Sequence, residues 1–378
     1  MRVVLLTHNY LGKPGDLPSA PLSTLARALI RRGVSVRVIT PANQSGEIRV
    51  DGVPVVQVHV PRSIREMASS NDRVASALKT PMGWLGLRRL RRAMKAAARQ
   101  EIAAGADVLH AHWWLPAGLA APTGVPLVVT VYGTDAALLR RSRVARSVAR
   151  PLLQRASTIT AVSREAGNWV QAAAGRFVDA QYVHPMPADT RGYPWTRGGG
   201  GAVVISRLVP SRRVDLALET LAVLGSLGHV FRLTIVGDGP ERAALEQRAA
   251  RLGISPQVRF VGAKSPVEAR SYLERADVML FTARGEGAAL AAIEALACGV
   301  PIVASWDSGA AVDIVPESGP GRLTLPSPEA LARSVLELQA DPDRFAMGRL
   351  VGESWRARLA PDHVAELCEG WYRNALAG

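Results

Sequence analysis

The sequence predicts an α/β protein made of two successive parallel-sheet domains. Three observations carry that prediction. The chain has 378 residues, more than twice the ~150 of an ordinary domain. A strand–helix–strand alternation runs, stops and begins afresh. A glycine run stands where it stops. At 48% hydrophobic and 21% charged, the chain can bury large cores, which excludes wholesale disorder.

The elements follow in order. Val3–Thr7 is a short apolar strand, and Val34–Thr40 is a β-rich run after Gly33. Between them Leu22, Leu25, Leu29 and Ile30 recur at helical spacing, with Gly33 as the stop. Asp107–His110, Leu127–Val131 and Thr158–Val162 continue the strand pattern, each after a helix-like stretch. Residues 191–201 read RGYPWTRGGGG, a linker signal. The second array has strands at Ala202–Ile205, Arg232–Val236, Val258–Val261, Val278–Phe281 and Pro301–Ala304. Helices at Asp215–Gly225, Glu241–Leu252, Pro266–Arg275 and Ala288–Cys298 alternate with them. The expected division is 1–195, 196–360 and a last helix in 361–378 that packs back toward the first domain. Two Rossmann-like domains facing a cleft bind ligands beyond the carboxyl ends of their strands.

Composition narrows the function. Two cysteines, Cys298 and Cys368, have no spacing for zinc or a disulfide framework and fit a reducing compartment. The opening MRVVLLTHNY has too short an apolar run for a signal peptide, and no segment approaches a membrane span, so a cytoplasmic protein is expected. The net charge is +14, and arginine supplies 42 of the 46 cations. Up to Trp195 there are 26 basic and 11 acidic residues; after it, 20 and 21. The whole excess lies in the first half and points to an anionic partner there. It is densest at Arg88–Arg99 and Arg140–Arg150. In the first, Trp84, Leu87, Leu90 and Met94 form an apolar stripe beside Arg88, Arg89, Arg92 and Lys95. Such a stripe either packs on the sheet or lies on an anionic membrane surface. Without aromatic interleaving or a known module, nucleic acid is not expected as a partner.

The chemistry concentrates in Arg284–Ser305, RGEGAALAAIEALACGVPIVAS. Glu286 follows a strand, Gly287 permits close backbone approach, and the free amides at the start of the next helix suit a phosphate. Glu294 lies two helical turns further on. Carboxylates in that setting accept hydrogen bonds from sugar hydroxyls better than they touch a diphosphate. His110 and His112 flank Ala111 at a strand's end, on one face. No third ligand stands near them, so no metal is expected. A dehydrogenase is excluded, because LGKPGDLPS is not the glycine fingerprint of a dinucleotide turn.

That block resembles the E-x7-E signature of retaining glycosyltransferases of the GT-B fold, family 4. The resemblance extends over nearly the whole chain: DVLHAHWWLPAG, VPLVVTVYGTD, ISRLVPSRRVD, IVGDGPERAALE and VRFVGAK appear in the family's order. It implies a nucleoside diphosphate sugar as donor, with a UDP sugar expected, and no cofactor or metal. It also implies that Arg207 and Arg212 hold the diphosphate, with amides from Gly287, Ala288, Ala289 and Leu290. By the same resemblance Glu286 holds the transferred sugar and Glu294 the ribose, while Val261 and Lys264 border the base. His112 matches the family's histidine near the sugar, and Trp113, Trp114, Asp135 and Gly15 fall on the acceptor side. The chain departs from the family in several places. The glycine pair of the first loop is missing, Ala288-Ala289 replaces Phe-Gly, Arg212 replaces Lys, and Tyr132 replaces a frequent His. A small hydroxylated acceptor is expected. A lipid acceptor on the inner membrane face, or a weakened, non-catalytic nucleotide-sugar binder, remains as an alternative.

Overall fold

A computed structural model describes residues 1–10, 20–68, 80–316 and 318–378. It divides into two compact units, 1–189 with 359–378, and 190–358. The division falls six residues before the expected boundary at 195, and the last helix belongs to the first unit.

The first unit holds a seven-stranded sheet. Its strands are β1 (Arg2–Leu6), β2 (Ser35–Ala42), β3 (Gly46–Val50), β4 (Val53–His59), β5 (Val108–His112), β6 (Leu127–Val131) and β7 (Thr158–Ala161). The order is β3-β4-β2-β1-β5-β6-β7, parallel except for β3 against β4. That hairpin was not expected from the sequence. Alternation along β1 shows both sheet faces covered, as parallel sheets require. Val3 and Leu5 pack with Leu22, Leu25 and Leu29 of helix Ala20–Arg31 and with Trp371 and Tyr372 of helix Pro361–Ala377. Val4 and Leu6 pack into the opposite layer, with Leu90 and Met94 of helix Pro81–Ala103. Thr80 caps that helix by accepting from the Gly83 amide, and Pro81 opens it.

The apolar stripe on this helix is shorter than expected. Leu87, Leu90 and Met94 are buried, but Trp84 is 39% exposed, next to Met82 at 76% and Leu85 at 45%. Gly83 between them and Gly86 after them are buried, so the helix is already packed here and these three side chains lie off its buried face.

The second unit holds six parallel strands: β8 (Ala202–Ile205), β9 (Leu233–Val236), β10 (Val258–Gly262), β11 (Val278–Phe281), β12 (Ile302–Ser305) and β13 (Gly321–Thr324). Their order is β10-β9-β8-β11-β12-β13. The glycine run before β8 is no flexible linker. Asp277 accepts from the amides of Gly199 and Gly201 at 2.8 and 2.7 Å. A Cβ on Gly200 or Gly201 would lie 2.4 Å from the carbonyl oxygen of Arg275 or Arg232. The glycines are there because three backbones crowd together.

Candidate active site

Both sheets change direction once. In the first, β1 runs outward to β2 on one side and lies against β5 on the other. In the second, the same happens between β8 and β11. Loops leaving the carboxyl ends at such a switch point part to opposite faces and leave room for a ligand. Most of the expected residues lie near these two points, each within its own unit, whereas Val261 and Lys264 lie at the end of β10, the edge strand of the second sheet.

In the second unit the loop after β8 carries Arg207 and Arg212, and the loop after β11 carries Glu286. Arg207 is exposed, while Arg212 is half-buried and ion-paired with Glu286. Burial, and then the neighbouring Arg207, push the Arg212 guanidinium below its ordinary pKa. Two cations thus share one loop, and Arg212 alone is paired with the carboxylate.

The Glu286 loop is fixed from below by residues the sequence did not single out. Arg213 sits in the left-handed region at φ 45°, a strained place for a long side chain. It is held there by its own guanidinium, which donates to both carboxylate oxygens of Asp307 at 2.9 and 2.6 Å. It also donates to Ser305 Oγ at 2.9 Å and the Thr282 carbonyl at 2.8 Å. The Asp307 and Ser308 carbonyls in turn accept from the amides of Gly285 and Glu286, and the Glu286 carbonyl accepts from Ala310. The Arg-Arg doublet at 212–213 was visible, but not that its members part, one toward Glu286 and one toward Asp307.

The following helix spans Leu290–Ala297, two residues shorter at its start than expected. Ala289 does not belong to it. It takes φ 48° and ψ 41° as the residue before the first turn, buried, where the family pattern has glycine. An alanine there costs about 1 kcal/mol that glycine would not. Glu294 projects from this helix to Arg270, whose guanidinium donates at 3.1 Å and also lies 4.4 Å from the centre of the Tyr193 ring. Burial raises the Glu294 pKa, opposed by Arg270 and the Tyr193 hydroxyl. Tyr193 and Arg270 are further residues the sequence reading missed. Val261 and Gly262 are half-buried at the end of β10, and Lys264 beyond them is exposed.

In the first unit, His110 and His112 point to one face of β5, with ring centroids 4.1 Å apart. Both are fully buried. Burial lowers the His110 pKa to about 3, and burial together with His110 holds His112 well below the ordinary imidazole value. Both are neutral rings near pH 7. His110 bonds Tyr372 at 2.8 Å and Thr130 at 2.7 Å. His112 lies 2.8 Å from the Tyr132 hydroxyl. Trp113, at φ 70°, stacks on Tyr132 with centroids 4.1 Å apart. On its edge stands His8, from the end of β1, another residue the sequence reading passed over.

Two of the residues expected on the acceptor side instead hold the loop together. Trp114 is fully buried, and its indole donates to the Asp135 carbonyl at 3.0 Å. The Asp135 carboxylate accepts from the amides of Tyr132 and Trp114 at 2.6 and 2.9 Å, and burial pushes its pKa up to about 7. Of that set only Trp113 keeps a partly exposed ring. Gly15, and the rest of the altered first loop, lie outside the described residues.

Two family models match this chain: Glycosyl transferase 4-like domain over residues 20–188, and Glycosyl transferases group 1 over residues 200–348. The chain belongs to the GT-B glycosyltransferases. A 2-deoxystreptamine glucosyltransferase from Streptomyces kanamyceticus is 27% identical to it, over 93% of this chain and 97% of that one. A GDP-mannose-dependent phosphatidylinositol monomannoside mannosyltransferase from Mycolicibacterium smegmatis is 30% identical, over 60% of this chain and 66% of its own. Among solved structures, sucrose-phosphate synthase from Thermosynechococcus elongatus matches with a TM-score of 0.71 at 18% identity, covering 100% of this chain and 99% of that chain. The Anabaena protein HepE in complex with UDP matches at 0.69 and 19%, covering 99% and 100%. These likenesses establish the fold of this glycosyltransferase. The family block 200–348 contains Arg207, Arg212, Glu286 and Glu294, and the block 20–188 contains His112, Trp113 and Tyr132.

Proposed function

We propose that this glycosyltransferase moves a sugar, with retention, from a nucleoside diphosphate sugar to a hydroxyl of a small acceptor. The observation that carries this reading is the pairing of Arg207 and Arg212 on one loop, opposite Glu286, at the switch point of the second sheet. Two guanidiniums suit a diphosphate leaving group, whose charge grows as the glycosidic bond breaks. Glu286 suits the sugar hydroxyls, and the amides of Gly287, Ala288, Ala289 and Leu290 suit the phosphates. Glu294 suits the ribose, while Val261 and Lys264 border the base. With no strong nucleophile assigned, the acceptor oxygen bonds the anomeric carbon on the face the phosphate leaves. A phosphate oxygen takes the acceptor's proton. The two arginines neutralise the developing charge, so no metal is assigned a step.

A UDP sugar is the donor we assign, supported by the complexes of HepE with UDP and with UDP-glucose. The GDP-mannose dependence of the mycobacterial relatives makes GDP sugars the control. The test is mass spectrometry of products after incubation with a panel of nucleotide sugars and cell extract. Transfer is expected to persist in EDTA; activity abolished by EDTA and restored by Mg²⁺ or Mn²⁺ would overturn the metal-free mechanism. Tight UDP binding with no product from any donor would instead mark a non-catalytic binder.

A second reading, a peripheral enzyme acting on an anionic lipid, is favoured by one surface. Met82, Trp84 and Leu85 are exposed at the start of a helix that continues with exposed Arg88, Arg89, Arg91 and Arg92. Among the described residues no helix is long and apolar enough to cross a membrane, so any attachment through this helix lies along the surface. On this reading the protein sediments with anionic liposomes at low salt, and Arg88→Glu, Arg89→Glu and Arg92→Glu together release it. Failure to sediment at low salt would remove the reading.

A further inference from the structure

Buried ring nitrogens without a hydrogen-bond partner in the first unit include Nδ1 of His8 and Nε2 of His112. The second has a determinate protonation, because its ring is tied at the other nitrogen. Nδ1 of His112 lies 2.8 Å from the Tyr132 hydroxyl, and the same hydroxyl donates to Sδ of Met186 at 3.1 Å. A thioether has no proton to give, and a phenol has only one. Both contacts are satisfied together only if His112 donates from Nδ1 to the Tyr132 oxygen while Tyr132 donates to Met186. The reverse arrangement makes one hydrogen bond in place of two. It also buries an N–H on Nε2 with no acceptor, a rarer orphan than a lone pair. His110 cannot substitute, since both its nitrogens are bonded, to Tyr372 and Thr130.

We propose that Tyr132 is a positioning residue: the chain Met186–Tyr132–His112 locks His112 with its proton on Nδ1, so that Nε2 accepts a hydrogen bond from a hydroxyl of a polyol substrate. A phosphate dianion or carboxylate has no proton to offer Nε2, so this point of the site selects neutral hydroxyls. It does so despite the positive charge of this half of the chain. The identity of the hydroxyl as one on the sugar or its acceptor rests on the glycosyl-transfer reading. The tautomer does not.

The experiment is 15N-resolved imidazole spectroscopy of the full chain without ligand at neutral pH, with His112 assigned by His112→Gln among the seven histidines. The expected spectrum has His112 protonated on Nδ1 and bare on Nε2. Tyr132→Phe and Met186→Leu are each expected to shift the proton toward Nε2, the second without touching the hydroxyl itself. With the donor and acceptor found in the product screen, Tyr132→Phe is expected to raise KM about tenfold, one hydrogen bond's worth, with a smaller change in kcat. A proton on Nε2 in the unaltered protein, or an unchanged tautomer in both variants, overturns the proposal. An Nδ1 proton in a chain that transfers no sugar upholds the tautomer lock and refutes the functional reading alone.

Discussion

Arg207→Ala is expected to lower turnover at least about a hundredfold while leaving the melting temperature unchanged. Arg207 is exposed on the loop after β8, so truncating it removes little packing. Its charge is felt by Arg212, whose guanidinium is already disfavoured by burial. An entering diphosphate relieves that repulsion and gains from it further as charge builds on the leaving group. Losing one preorganised cation of this kind costs ~3 kcal/mol, which is about two orders of magnitude in rate. Arg212→Ala is the less clean experiment, because it strands Glu286 without its partner. The measurement is kcat with saturating donor, alongside a thermal melt. Near-normal turnover in Arg207→Ala would sink the assignment of this loop to the diphosphate.

The sequence made the frame and part of the site readable, for reasons that differ by residue. Arg207, Glu286 and Glu294 sit in blocks where strand end, glycine and helix start follow within a few positions, so local pattern alone places them beside a ligand. Arg213 and Asp307 are 94 residues apart, and nothing local in either announces the other. The same holds for Arg270 and Glu294, 24 residues apart across a strand. The β3–β4 hairpin was missed because GEIRV is five residues long and mostly exposed, and its alternation shows only two apolar residues, Ile48 and Val50. The glycines before β8 misled because a flexible linker and a crowded backbone call for the same residue. Composition cannot tell freedom from confinement. Asp135 misled in another way: a carboxylate inside a stretch that resembles a family motif reads as chemistry, whereas here its oxygens are spent on two amides.

Gly237→Ala is expected to lower the melting temperature of the second unit by about 10 °C and to reduce turnover with it. Gly237 follows β9 at φ 141°, and a Cβ on it would lie 1.8 Å from the Ser206 carbonyl oxygen. Gly239 is as confined: its Cβ would fall 2.3 Å from the Leu208 carbonyl oxygen. The two glycines therefore press on the backbone either side of Arg207. That segment is also pinned to them, since the Leu208 amide donates to the Asp238 carbonyl at 2.9 Å and Glu241 donates back to Leu208 at 3.2 Å. A clash with backbone cannot be relieved by a side-chain rotation, so the Arg207 loop must move or β9 must. Overpacking and a left-handed alanine together cost ~3 kcal/mol, and ~1 kcal/mol moves the melting point of a unit this size by about 3 °C. Gly225→Ala is the control: it lies in helix Val214–Ser226 with nothing within 4 Å of an added Cβ. That variant is expected to melt at or slightly above the unaltered protein, because alanine is the better helix former. Equal melting of Gly237→Ala and Gly225→Ala would mean that the glycines of VGDGP do not set the position of the Arg207 loop.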